Sequence, residues 1–168
     1  MSTKIIRFSI VFLSLLALVT PSPVKSQAAE TPPAGAFVSI EVSTASLSIG
    51  ETASVNVKLN NVPGEGYKSA EFTCNYDGTL VEKSNIVVTE LFGTEPVTVI
   101  HDPQTGTFIV AIAGVNSNRA ITSGTAFSFS AKALQAGQSA VQCTARVSQG
   151  NNQAIDLPSV GTALTILE

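Results

Sequence analysis

His101 is the only histidine of the 168-residue chain, so any Ser-His-Asp relay would have to run through it. It follows Val97-Thr98-Val99-Ile100 and precedes Asp102 and a turn, the setting of a surface histidine rather than a catalytic base. Glycoside hydrolysis would need two facing carboxylates about 5–9.5 Å apart. The twelve acidic residues make chance pairs easy, and none has a distinctive spacing. Metals are no better served. Asp102-Pro103-Gln104-Thr105-Gly106-Thr107 lacks the alternating oxygen ligands of a calcium loop. One histidine and two cysteines on core-facing positions do not make a zinc site. The chain therefore reads as non-enzymatic, with no catalytic residue, no metal and no cofactor of its own.

Cys74 and Cys143 are the remaining reactive pair. Two cysteines in an exported chain suggest a disulfide. Two buried thiols acting as small hydrophobes are the alternative.

The case for export lies at the N-terminus. Lys4 and Arg7 precede a mostly apolar run of 13 residues, Phe8 to Thr20. That run fits the apolar core of a signal peptide and is too short to span a bilayer as a helix. Pro21 and Pro23 end it. Val24-Lys25-Ser26 and Ser26-Gln27-Ala28 then offer small-x-small cleavage patterns. Residues 1–26 are expected to be a signal peptide, with the cut extending at most to Ala29; an uncleaved anchor is the alternative. The expected destination is secreted, extracellular or at the cell surface, with membrane contact only through the signal peptide. Cleavage after Ser26 leaves six basic against twelve acidic residues, a formal charge of −6. Nucleic acid is then a poor partner, because phosphate contacts need clustered Lys and Arg.

Such a function needs a scaffold, and the rest of the chain supplies a β one. Residues 27–36, with Pro32-Pro33, read as a flexible leader. From Phe37 on, apolar and polar residues alternate in short runs. Ala53-Ser-Val-Asn-Val-Lys-Leu-Asn60 is the cleanest, and Phe72, Cys74 and Tyr76 share one face of the run Tyr67–Asp77. Asp77-Gly78 and Asp102-Pro103-Gln104-Thr105-Gly106 supply turns. Nine strand candidates and no convincing helix predict an all-β sandwich or jelly roll.

The order of motifs resembles a cohesin domain over residues 37–168. The residues that carry it are Leu47-Ser-Ile-Gly50, Leu59-Asn-Asn-Val-Pro63-Gly64, Ala70-Glu-Phe72-Thr-Cys-Asn-Tyr76-Asp77, Gly106-Thr107-Phe-Ile-Val110, Ile121-Thr-Ser-Gly124 and Gly137-Gln-Ser-Ala-Val141. The resemblance implies a nine-stranded jelly-roll β-sandwich. It also implies that the sheet of the third, fifth, sixth and eighth strands binds a protein partner, a calcium-loaded dockerin, in extracellular polysaccharide degradation. Carried over, Glu71 and Thr73 fall on outward positions of that sheet. The third and eighth strands are neighbours in the family, which would make Cys74 and Cys143 a cross-strand pair. Gly78 departs from the family, which often has Pro there.

Alternation adds further candidates. If Phe108, Val110 and Ile112 fill the core, then Ile109, Ala111 and Ala113 make an outward apolar row, which can mark an interface. The same logic turns Gln142, Thr144 and Arg146 outward. Glu71, Thr73, Ile109, Ala111, Thr144 and Arg146 are the expected partner-binding residues. Direct binding of a polysaccharide is the second reading. It would need exposed rings for stacking, and only Tyr67 and Tyr76 offer themselves, without any Trp.

Overall fold

The computed structural model describes residues 32–168, so the expected signal peptide and the first half of the leader, residues 27–31, lie outside the described residues. Twelve strands follow in order: β1 (Phe37–Val42), β2 (Ser46–Ser48), β3 (Thr52–Asn60), β4 (Ser69–Asn75), β5 (Val81–Val88), β6 (Val97–Gln104), β7 (Thr107–Ala113), β8 (Gly124–Ala133), β9 (Gly137–Ser148), β10 (Ala154–Leu157), β11 (Ser159–Val160) and β12 (Thr162–Leu167). Each of the nine expected segments lies on one of them. The three additional strands, β2, β10 and β11, are two to four residues long, too short to show alternation. One 3-10 turn, Glu90–Phe92, is the only helical element among the described residues, capped by the Thr89 hydroxyl accepting from the Leu91 N–H.

The strands form two stacked sheets. One has the order β11-β1-β3-β8-β5 and the other β2-β12-β9-β4-β7-β6, with β10 beside β9. The β1–β11 and β12–β2 pairs are parallel and the rest antiparallel. Side chains of period two fill the space between the sheets, because successive residues of a strand point to opposite faces. On β7 the pattern is strict: Phe108, Val110 and Ile112 are buried and their neighbours half-buried. Phe72 and Phe108 from the second sheet meet Phe127 and Phe129 from the first edge to face, with ring centroids 5.1–6.3 Å apart. That offset geometry adds to the burial of each ring.

One contact joins the two sheets at an edge. Lys83 on β5 reaches across to Asp102 on β6, with Nζ 2.7 and 3.0 Å from the carboxylate oxygens. The same ammonium lies 5.2 Å from the Phe108 ring centroid. At the same end of β7, the β6–β7 hairpin tip folds against the turn after β4, where the Tyr76 N–H donates to the Gly106 carbonyl at 2.9 Å. A Cβ on Gly78 would stand 2.9 Å from the Gly106 nitrogen, and one on Gly106 2.6 Å from the Tyr76 oxygen. Both positions therefore exclude side chains, which accounts for Gly78 where the family resemblance leads one to expect proline. The hairpin turn is also tighter than the expected Asp102–Gly106 segment. A bulge between His101 and Gln104 absorbs Pro103 and lets β6 run on to Gln104.

Candidate functional site

β4, β7 and β9 are neighbours in the second sheet, with β4 in the middle. Their registers decide which outward residues meet. Glu71 lies opposite Ala111 on one side and Arg146 on the other, and Thr73 lies between Ile109 and Thr144. The six residues singled out from the sequence thus form two adjacent rungs across three strands. β6 extends the rungs, with Val99 opposite Ala111 and His101 opposite Ile109. β10 extends one of them on the far side, with Asp156 opposite Arg146. One continuous row therefore reads Val99, Ala111, Glu71, Arg146, Asp156. The strands expected to carry the binding sheet stand side by side as β9-β4-β7-β6.

The face divides chemically. Its β6–β7 half is apolar: Val97 and Val99 are 57% and 59% exposed, beside Ala111 and Ala113. Its β4–β9–β10 half carries Glu71, Thr73, Thr144, Arg146 and Asp156. A groove of about 370 Å³ lies over the apolar half, lined by Glu71, Val97, Val99, Ala111, Ala113 and Arg146 among others. A second, of about 330 Å³, is bounded by Glu71, Thr73, Thr144, Arg146, Asp156 and Leu157. Glu71 and Arg146 line both. Among the described residues the ion pairs are Lys58–Glu41 and Lys83–Asp102. The guanidinium of Arg146 therefore keeps its fork of donors free for a planar acceptor.

Beneath the face, Cys74 and Cys143 are directly opposed on the inward side of β4 and β9 and form a disulfide, with Cα atoms 4.0 Å apart. Both are fully buried. The bond joins the two strands under the Thr73–Thr144 rung. Ser139, also fully buried, accepts from the Asp77 N–H at 3.0 Å and ties the start of β9 to the turn after β4. In that turn the Asp77 carboxylate accepts from the Thr79 hydroxyl and N–H at 2.7 and 2.9 Å. These bonds hold its pKa below the ordinary value.

His101 is exposed on the outward face, and its neighbour Asp102 is bonded to Lys83 instead, so the pair forms no relay. Among the described residues no group of three metal-ligating side chains comes together. Tyr67 is not available as a sugar-stacking ring. It is 4% exposed, held by paired backbone bonds with Ala120, and its burial raises the phenol pKa. Tyr76 is half-buried against Phe108. No Phe or Tyr ring is exposed among the described residues.

Sequence reasoning missed Val97, Val99 and Asp156. The alternation of Val97-Thr98-Val99-Ile100 carried a usable signal for the first two. Asp156 had none, because β10 is four residues long between Asn151-Asn152 and Pro158.

Comparison with known proteins gives a consistent result. A family model described as the cohesin domain matches residues 38–167. Among solved structures, the sixth cohesin of Acetivibrio cellulolyticus scaffoldin B, in complex with a Cel5 dockerin mutant, aligns with a TM-score of 0.68 at 19% identity, covering 79% of this chain and 99% of that one. The cohesin module of a Clostridium perfringens family 33 glycoside hydrolase aligns at 0.69 and 15% identity, covering 79% and 96%. A non-cellulosomal cohesin from the archaeon Archaeoglobus fulgidus aligns at 0.63 and 14% identity, covering 80% and 93%. No curated protein matches the chain in sequence.

Proposed function

The chain belongs to the cohesin family, a family of non-catalytic protein-binding modules, and from that membership we propose that its β9-β4-β7-β6 face docks the dockerin module of another protein. The observation that carries this is the pair of rungs, Ala111-Glu71-Arg146 and Ile109-Thr73-Thr144, continued by exposed Val99. An apolar half beside a polar half with unpaired charge suits a helical partner that buries a hydrophobic stripe and anchors its edge by hydrogen bonds. A few residues would carry most of the affinity, with Ile109, Val99 and Arg146 the leading candidates. Calcium in such a complex would be held by the dockerin.

The working site is outside the cell, in the assembly of polysaccharide-degrading proteins. Residues 1–26 support this through their signal-peptide pattern, and the Cys74–Cys143 bond fits an oxidising compartment. Direct sugar binding finds no exposed ring to support it among the described residues.

The test is calorimetric titration of the purified module against a panel of recombinant dockerins, in calcium and in chelator, beside a depletion assay on insoluble polysaccharides. Calcium-dependent binding of at least one dockerin is expected. Retention on polysaccharide with no dockerin bound would overturn the proposal.

A further inference from the structure

β6 ends its sheet: β7 pairs with one side of it and no described strand with the other. Every residue of β6 is exposed. Its centre, Val97-Thr98-Val99-Ile100, is β-branched throughout and contains no charge, proline or bulge. Val97, Val99 and Ile100 are 57%, 59% and 46% exposed. Such an edge is a template for a further strand, and proteins usually blunt it. The other edges here are blunted. β2, β10 and β11 are two to four residues long. β5 carries Glu82 and Lys83 and a bulge at Ser84–Val87, with Asn85 in the left-handed region at φ 51°.

The backbone bonds reveal which groups β6 presents. The Gly114 N–H donates to the Lys68 carbonyl and the Tyr76 N–H to the Gly106 carbonyl, both at 2.9 Å. In an antiparallel ladder these directions alternate residue by residue. Even-numbered β7 residues therefore bond β4, and Ile109, Ala111 and Ala113 bond His101, Val99 and Val97 of β6. The N–H and C=O groups of Thr98 and Ile100 are left at the free edge.

We infer that this edge docks a second copy of the same chain, β6 against β6, about a two-fold axis through Val99. The strand is its own complement in that register. Thr98 faces the second copy's Ile100, and each such pair exchanges two hydrogen bonds. Val99 faces Val99 in the closer, non-bonded position. Val97 faces His101. Glu95 falls opposite Pro103 and Asp102 opposite Pro96, so no like charges meet. Pro96 has no N–H to offer, and the bulge after His101 ends the straight segment. Pairing is therefore confined to the central residues. It uses up both edges and closes as a dimer rather than a fibre. The two outward faces then join into one wider sheet. This inference is independent of the dockerin reading, since its hydrogen bonds run through the strand's edge; Val99 belongs to both surfaces.

Sedimentation equilibrium of the purified chain over a wide concentration range tests it. A reversible monomer–dimer equilibrium is expected. Thr98→Pro removes an edge N–H without touching the β7 ladder, so the variant should be monomeric with an unchanged urea midpoint. Val99→Lys places two like charges on the axis and should raise the dimer dissociation constant about tenfold or more. Under oxidation Val99→Cys should cross-link to itself, while Val97→Cys should not. A chain that stays monomeric at every concentration would overturn the proposal. So would undiminished dimerisation of Thr98→Pro or Val99→Lys, or cross-linking of Val97→Cys as readily as Val99→Cys.

Discussion

Glu71 stands directly opposite Arg146 across the β4–β9 ladder, yet the two form no ion pair. Asp156 flanks Arg146 on its other side. A guanidinium between two carboxylates, spent on neither, is available to a partner. Arg146→Ala is expected to leave folding stability within about 0.5 kcal/mol, as for an exposed position outside the core. It is expected to weaken dockerin binding about tenfold or more, about 1.4 kcal/mol. Urea unfolding and calorimetric titration of the same preparation separate the two effects.

The Cys74–Cys143 bond crosses a sequence separation of 69 residues under the face. Replacing both cysteines with alanine should lower the unfolding free energy by about 2–4 kcal/mol. Both sulfurs are fully buried, so the native, unreduced protein should resist alkylation and show an intact mass two hydrogens short of the dithiol. Rapid labelling of both positions without denaturant would show free thiols instead.

Lys83 joins the two sheets at one edge through Asp102 and the Phe108 ring. Its side chain is 14% exposed, while that of Asp102 is 58% exposed. The ion pair is therefore partly screened, and the ring contact matters as much. Lys83→Ala should cost about 1–2 kcal/mol. A double-mutant cycle with Asp102→Ala should return a coupling of about 0.5–1 kcal/mol, leaving a share for Phe108.

Asp77 gives a pH dependence with a definite sign. Hydrogen bonds from the Thr79 hydroxyl and N–H hold its pKa below 3.8 in the folded chain. A depressed folded value means the carboxylate contributes stability above the unfolded pKa. That contribution is lost as the pH falls through the folded value. The wild type should therefore lose stability more steeply in acid below 3.8 than Asp77→Ala, and the two curves should run parallel at neutral pH. Urea midpoints across the acid range measure this. Equal slopes in acid would remove Asp77 from the balance.

Much of this molecule was legible in the chain before any coordinates. Alternation on β4, β7 and β9 is strict because each strand has one face on a dry core, so Phe72, Phe108 and Val147 betray the direction of Thr73, Ile109 and Arg146. What alternation does not encode is register across strands. The opposition of Glu71 to Arg146 depends on where each strand begins. Elements of two to four residues, such as β10 with Asp156, have too few positions to show a period. Tyr67 illustrates the other gap. It opens the run Tyr67–Asp77 but lies just before β4, and in space it is bridged to the distant Ala120. Gly78 is similar, since its missing side chain answers to Gly106, a neighbour only in space.

The proposed docking face meets its most direct test in Ile109→Asp, with Ser54→Asp on the opposite sheet as the control. Ile109 is half-buried beside Thr73 on one of the rungs, and Ser54 is exposed on β3. Affinity for a dockerin that binds the wild type would be measured by calorimetry, with circular dichroism confirming both folds. A loss of about 2 kcal/mol or more for Ile109→Asp, and none for Ser54→Asp, is the expected result. Wild-type affinity in Ile109→Asp would contradict the assignment of this face.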